Sequence, residues 1–586
     1  LVLKRLRPKK AAWLLAVVAS ALLVYLPHLD FPFTSDDVLV SIENPLLGDP
    51  SRIPSYFSKP LDWPVVEKLS HLAEGRPHSG LYRPLLLASY HLDWLLFDLR
   101  PAGWRFVNLC YFLLCTGLVF ALLFRLLKSF PAAIMGALLF AVHPVHLEAV
   151  VSLLGGRAEI MATLFCLAGW VLLLRALEKE SGAIGILWAA ASAPLLLAGL
   201  FSKENALVLP ILEALSAALV LRSPLKKWLV LLLPQLAVLV FYLVLRLWVV
   251  GRLAPASWSE TFGDMAGWRI ALFVGYLWLR YLLMACLPWP PLHPDCYRDL
   301  PRQAPLALEA GATLVMAALF AISAAAFWRR WREGKELTPV AACGLFFVAL
   351  LPVSHLVPFA VVMAQRFLFL PSVAVSLMAG WLWLRYASGK KIAVWALPAT
   401  VAAVFAAVTV FFGSHLSHPD LLYQDLSRCR PHSADAYNNL GTIKLRSGDI
   451  EGALALFETA SEIEPLLPDP IYNLALCLQK LGRWDGAEKA YLRVLELDPS
   501  HPLAPNNLGV LLSRRGEFEQ AARYFELAMR NDPAHPEPLV NLAILREQQN
   551  RLEEAARLYR LALEIDPRLE IARRNLERIE KNRSGD

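Results

Sequence analysis

Apolar residues fill membrane-length stretches over roughly the first 415 positions, and from about Ala434 they recur instead at helical spacing within a longer period. The first run, 11–29, is long enough to cross a bilayer as a helix. Ten further runs, near 102–124, 130–147, 158–177, 184–201, 205–221, 228–250, 305–327, 339–357, 366–386 and 391–413, predict an all-α membrane domain of about eleven spans. Arg269 to Leu287 is also long enough, but an odd span count requires both its flanks on one side, so it is read as re-entrant or interfacial. Between the first two spans, two aromatic-rich pieces, Tyr56 to Leu72 and Tyr82 to Leu99, interrupt a long loop; the second suits a helix lying at the membrane surface.

Charge orients this pattern. Lys4, Arg5, Arg7, Lys9 and Lys10 precede the first span, and Arg125 and Lys128, Arg175 and Lys179, Arg222, Lys226 and Lys227, Arg329 to Lys335, and Arg385, Lys390 and Lys391 mark alternate loops. The positive-inside rule makes these loops cytoplasmic. Eleven spans then leave residues 30–100 and the C-terminal region on the far side. Ala19-Ser20-Ala21 resembles a signal cleavage site, but the apolar run continues past it and more spans follow, so an uncleaved anchor is expected.

The C-terminal period is 34 residues. Leu440, Leu474, Leu508 and Leu542 obey it, as do Ala453, Ala487, Ala521 and Ala555, and Pro465, Pro499, Pro533 and Pro567. This is the tetratricopeptide repeat pattern, an α-solenoid of helix pairs in which small Ala lets two helices approach and Pro ends the second. The expected domains are 1–415 in the membrane, a linker at 416–433, repeats at 434–467, 468–501, 502–535 and 536–569, and a polar capping helix. An asparagine precedes each repeated Leu: Asn439, Asn473, Asn507 and Asn541. Such a ladder either offers amides to an extended peptide on the concave face or is only the usual residue at that position. In both cases the array is a protein-binding surface.

Composition adds one exclusion. Of 586 residues 57% are hydrophobic and 18% charged, with a mean hydropathy of +0.46. From Ser433 onward 20 Lys and Arg stand against 25 Asp and Glu, a net of −5 against +7 for the whole chain, which leaves +12 to the rest. That excess sits in short loops, not on an aromatic-studded basic face, so no nucleic-acid partner is expected.

Candidate chemistry begins at Asp36 and Asp37, in FPFTSDDVLVSIENP just beyond the first span. Adjacent acids there suit a general base, a cation site or an ordinary loop start. HPVHLEA places His143 and His146 at i and i+3, with Glu148 close by. The two rings can share a helix face and a metal, but Pro144 argues that the helix bends or ends there, and a structural or substrate-contact role is preferred. Cys110, Cys115, Cys166 and Cys343 lie in apolar runs as packed thiols; Cys286 and Cys296 flank LPWPPLHPD and can pair in an oxidising compartment.

From the Asp pair onward the chain resembles the transmembrane and tetratricopeptide repeat containing O-mannosyltransferases of the C-type glycosyltransferase (GT-C) superfamily. The resemblance rests on DDVLVSIENP, HSGLYRPLLLASYHLDWLLF, FAVHPVHLEAVVSLLGGRAEIMATLF, LFSKENALVLP and MAQRFLFLPSVAVSLMAG, in that order and followed by the repeats. It implies a GT-C-like bundle, a polyprenyl phosphate sugar donor presented on the non-cytoplasmic side, and Asp36 as general base with Asp37 orienting it or the acceptor, or the reverse. A leaving lipid phosphate needs fixed cations; Arg366, Lys203, Arg157 and Arg83 stand at outer helix ends, Arg366 foremost. Gln365 occupies the place where the family tends to carry Glu.

The reading is a membrane glycosyltransferase moving a sugar, by resemblance mannose, to Ser or Thr of a protein held by the repeats. Two others stay open: a non-enzymatic scaffold for envelope proteins, and a transferase with a glycan or lipid acceptor. A divalent cation at the Asp pair is the one cofactor the residues leave open; no metal ligand is assigned. The expected location is a bacterial inner membrane, with active site and repeats on the periplasmic side.

Overall fold

The computed structural model describes residues 8–30, 47, 49–59, 81–178, 182–253, 262, 265–287, 305–356, 361–387, 396–416 and 418–584. Among the described residues all regular structure is helical, in two compact units, Leu1–His418 and Pro419–Asp586.

The first unit contains α1 (Pro8–Tyr25), α2 (Pro84–Phe97), α3 (Pro101–Leu127), α4 (Phe130–Val142), α5 (Leu147–Val151), α6 (Leu154–Glu178), α7 (Gly182–Ser202), α8 (Leu209–Leu215), α9 (Leu225–Val250), α10 (Gly267–Cys286), α11 (Leu306–Arg332), α12 (Thr338–Leu350), α13 (Ser372–Tyr386) and α14 (Ala396–Leu416). Eight of the described helices are long and apolar enough to cross a membrane, or nine if α4 and the bent continuation Pro144–Val151 form one span. The protein is therefore an integral membrane protein. Leu236, Val240 and Val244 on α9 and Leu314 and Ile322 on α11 are exposed, a surface that only lipid suits.

The expected count of eleven is not what helix length delivers, and proline is the reason. The 205–221 run breaks into a 3-10 turn (Glu204–Val208), the seven-residue α8 and a π turn (Ser216–Val220), with Pro210 at the first junction. The 366–386 run opens with a 3-10 turn before Pro371 and leaves fifteen residues in α13. In α12 only thirteen residues are α-helical before Pro352. At Pro144 the chain turns by 52° after α4.

Close helix contact uses missing side chains. A Cβ on Gly136 of α4 would lie 2.5 Å from Ser376 O, and one on Gly380 of α13 would lie 2.8 Å from Ala132 O. Small residues let membrane helices approach backbone to backbone in this way. α10 is one continuous helix of twenty residues, and it runs in the same direction as α11. Arg269 pairs with Glu309, Thr313 Oγ1 donates to Leu272 O at 2.8 Å, and Trp278 meets Phe320. Residues 266 and 305 thus lie toward the same end of the bundle.

Polar contacts mark two opposite ends. One holds Lys10 over Phe130, the Arg125–Glu178 pair, Arg175 against Trp188, and Arg222 donating to Gly334 O. The other holds Tyr25, donating to His143 O, and the buried ion pairs described below.

The second unit opens with α15 (Pro419–Cys429), a helix within the stretch read as linker. Four helix pairs follow: α16 (Ala434–Arg446) and α17 (Ile450–Ile463), α18 (Pro468–Lys480) and α19 (Trp484–Leu497), α20 (Ala504–Arg514) and α21 (Phe518–Asn531), α22 (Glu537–Gln548) and α23 (Leu552–Ile565). α24 (Glu570–Ser584) closes the array. Ala453, Ala487, Ala521 and Ala555 are fully buried. The turn inside each pair is left-handed at Gly448, Gly482 and Gly516, and Asn550 fills that place in the fourth, the two residue types that tolerate it best.

Candidate functional site

The site end of the first unit is built around charges placed where α-helices break. Ser202 ends α7, and the extended Lys203 and the 3-10 turn after it put Lys203, Glu204 and Asn205 side by side. Lys203 Nζ pairs with Glu159 of α6, and Asn205 Nδ2 donates to both oxygens of that carboxylate, at 2.9 and 3.0 Å. Glu204 bridges Arg83, at 3.0 Å, and Arg246 of α9, at 3.2 Å. Burial raises the Glu204 pKa, but Arg83 and Arg246 outweigh it and bring the value to about 2.

Arg366 stands in the 3-10 turn before α13 and pairs with Glu148 of α5, whose other oxygen accepts from the Arg366 backbone N–H at 3.0 Å. Glu148 thus occupies the role that Gln365 is unable to fill, from 218 residues away. The Arg366 side chain lies against Gly155, where a Cβ would come within 2.6 Å of Nε. Lys203 and Arg366 both lie over the Phe367 ring, at 4.8 and 5.4 Å, and Arg83 is held by Glu204 next to Lys203; burial, only partly offset by Glu159, and the Arg83 and Arg366 charges together lower Lys203 to about 8.

Arg157 is different. Its guanidinium donates to Asn108 Oδ1 at 2.6 Å, Trp104 O at 2.6 Å and Asp93, and it is wholly enclosed. Burial raises Asp93 to about 6 despite this partner. Side-chain exposure separates the four: 14% for Arg366, 5% for Arg83, 2% for Lys203 and zero for Arg157.

The histidines are committed elsewhere. His143 Nε2 hydrogen-bonds to Ala285 O at 3.0 Å, and its Nδ1 accepts from Val145 N–H, so both ring nitrogens are used. His146 sits among Phe112, Phe140 and Phe369, with Nε2 3.4 Å from Ser372 Oγ. Among the described residues no group of three side chains is arranged to hold a metal ion. Asp36 and Asp37 lie outside the described residues. Cys286 is a free thiol, which replaces its expected pairing with Cys296, itself outside the described residues; Cys429 is disulfide-bonded.

In the repeats, Asn473 Nδ2 donates to Asn438 Oδ1 at 2.9 Å, Asn507 to Tyr472 Oη at 3.0 Å, and Asn541 to Asn506 Oδ1 at 2.9 Å. Each ladder amide therefore reaches the residue that precedes the corresponding Asn of the repeat before it, and Asn438, next to Asn439 in α16, opens the series.

Tetratricopeptide repeat models match residues 434–465, 472–536 and 506–570. The human protein O-mannosyl-transferase TMTC3 is 27% identical over 170 residues, 29% of this chain and 17% of that protein. Mouse protein O-mannosyl-transferase TMTC1 is 32% identical over 199 residues, 33% of this chain and 20% of its own length. The chain is a TMTC-like membrane protein with a tetratricopeptide array. Its similarity to these relatives is distant and spans about a fifth of their length. Among solved structures, MamA 41-end from Desulfovibrio magneticus RS-1 is 24% identical, covers 26% of this chain and 85% of its own, with a TM-score of 0.24.

In this TMTC-like chain the cations stand in local motifs, whereas their partners Asp93, Asn108, Glu159 and Glu204, and Arg246 on the other side of Glu204, come from elsewhere in the chain. A signal for them is present in the sequence: an ionisable residue beside or inside an apolar run is costly unless paired.

Proposed function

We propose that the protein transfers a sugar, mannose by family resemblance, from a polyprenyl phosphate to a Ser or Thr hydroxyl of a protein acceptor. Asp36 takes the hydroxyl proton as the acceptor oxygen bonds to sugar C1, with Asp37 orienting it. The C1–O bond to phosphate breaks, and the lipid phosphate leaves with that electron pair. The observation that carries the reading is the gathering of Arg83, Lys203 and Arg366 at one end of the bundle, where with Arg246 they outnumber the carboxylates Glu148, Glu159 and Glu204 and leave positive charge in place for the departing phosphate. Arg366, with the most exposed side chain of the four cations, meets the phosphate first; Arg157 positions α2 and α3 beneath the site.

The chain makes eleven passes of a GT-C-like bundle, counting the short α8, α12 and α13 and the bent α4–α5 unit. α10 and α11 together make one net pass, because residues 266 and 305 share an end. The basic end is cytoplasmic by the positive-inside rule, and the site end and the repeats face the other side, in a bacterium the periplasm. The disulfide at Cys429 supports that orientation, since such bonds persist in oxidising compartments. The repeats hold the acceptor and raise its concentration near the site.

The test is incorporation of radiolabelled mannose from polyprenyl phosphate mannose into envelope protein by purified wild type, Asp36→Asn and a chain ending at Ser433. Loss in Asp36→Asn at unchanged folding is expected, with loss of protein labelling in the shortened chain. Equal labelling by wild type and Asp36→Asn removes Asp36 as the base.

A further inference from the structure

We propose that the end of the first unit opposite the ion-pair cluster binds the headgroup of one anionic glycerophospholipid, seated on Arg222 between Trp228 and Trp331. The turn between α8 and α9 is shaped to present that arginine. After the π turn, Leu221 N–H donates to Ser216 O and Ser223 N–H to Ala217 O, and Arg222 itself takes a left-handed conformation, with φ of 50°. That conformation is uncommon for a residue with a side chain and persists where its surroundings hold it.

Here the surroundings are the end of α11. Arg222 Nη1 donates to Gly334 O at 3.1 Å and Nη2 to Lys335 O, so the guanidinium ties the two loops together. The two bonds use only two of its five N–H donors. The cavity between the loops measures about 430 Å³ and is lined by Ala218, Arg222, Ser223, Trp228, Trp331 and Gly334. That falls within the range of about 300–1,000 Å³ in which small-molecule sites lie. It thus combines a small apolar floor, two indole walls, a hydroxyl and a cation with donors to spare.

Charge decides which headgroup fits. Residues 222–228 and 328–336 carry seven Lys and Arg against two Glu. Glu333 engages Arg329 and Lys335, while Lys226 is exposed. A zwitterionic headgroup would place its own cation in that field, whereas a phosphodiester with an uncharged alcohol would be attracted throughout. Depth decides that the ligand is a lipid. Trp228 and Trp331 stand at the ends of membrane-length helices, the level where indoles settle at a bilayer surface. Further along α9 from Trp228, Leu229, Leu233 and Leu236 are exposed, an apolar helix surface that acyl chains can cover.

The experiment is native mass spectrometry of the full chain, delipidated in neutral detergent, titrated with phosphatidylglycerol, with phosphatidylcholine of the same acyl chains, and with sn-glycerol 3-phosphate. Wild type is expected to retain one phosphatidylglycerol at least tenfold more tightly than phosphatidylcholine and to bind glycerol phosphate far more weakly. Arg222→Gln should abolish the preference. Because Arg222 also ties the loops, Trp331→Leu serves as the second variant, expected to cut phosphatidylglycerol retention at least threefold at an unchanged melting temperature. Equal retention of the two lipids, or retention unmoved by both substitutions, overturns the proposal. Glycerol phosphate binding as tightly as the lipid also overturns it, in favour of a soluble phosphate ester.

Discussion

At the scale of single residues, the four site cations differ in how much of their charge is committed, and that difference predicts how they fail. Arg157 is enclosed, with every terminal nitrogen and Nε hydrogen-bonded. Arg157→Gln leaves Asp93 buried beside a neutral amide, and breaking such a pair costs about 3–5 kcal/mol. A thermal melt in detergent should show that loss before any assay of transfer. Arg366 is the partly open one, so Arg366→Gln, although it leaves the buried Glu148 beside a neutral amide, should reduce donor binding in the folded protein at least tenfold, read from KM for the polyprenyl phosphate sugar. Lys203 adds a pH dependence. With a folded pKa near 8 against an ordinary 10.5, its charge is present below pH 8 and fades above, so donor affinity should fall as pH rises through 8. Stability should move the other way: between 8 and 10.5 the unfolded chain binds the extra proton, so this group's contribution to stability grows with pH. Donor affinity that stays flat from pH 7 to 9.5 would remove Lys203 from the phosphate site.

At the scale of elements, what the sequence made legible was whatever repeats or persists. The 34-residue period places α16 to α23, because identical spacing of Leu, Ala and Pro leaves one helix-pair solution. Long apolar runs likewise place α3, α6, α9 and α11. Breaks were less legible. A proline within an apolar run shows where a helix is interrupted, but not whether the remainder rejoins it, and so the runs at 205–221 and 366–386 look like whole spans while the helices there are short. The site shares this limit. Its cations stand in recognisable local motifs, but their partners come from 44 residues away for Lys203 and 218 for Arg366, and no local pattern encodes that. The asparagine ladder shows the same thing within the repeats. Its amides join one helix pair to the next, so removing one should weaken a junction. Asn507→Ala and Tyr472→Phe each lose the same hydrogen bond, worth about 0.5–1.5 kcal/mol. Their double variant should be little less stable than either alone, as urea unfolding of the repeats in the full chain would show. Additive losses would mean that the two side chains act separately.

At the scale of the whole molecule, direction follows from which ends of helices meet. α10 and α11 start together, so the proposed odd parity does not count α10, a helix that length alone would make one more span. Lys10, Arg125, Arg175 and Arg222 then fall at one end, and the ion-pair cluster falls at the other. A positive charge on the far side of a bilayer is disfavoured, and the proposed orientation puts the basic loops in the cytoplasm on that ground. The prediction is directional labelling. In a chain whose free cysteines are replaced, a single cysteine at Lys335 should react with a membrane-impermeant maleimide only after the cells are opened. One at Ser447, exposed in the first repeat, should react in cells with only the outer membrane permeabilised. Lys335 is the decisive position, because it lies directly after the twenty-seven-residue α11. If it labels from outside, the parity drawn from the shared start of α10 and α11 is wrong, and the ion-pair cluster faces the cytoplasm, where a donor carried on the opposite leaflet would not reach it. If both positions label as expected, the cluster and the repeats share one compartment, which is the arrangement a tethered acceptor requires.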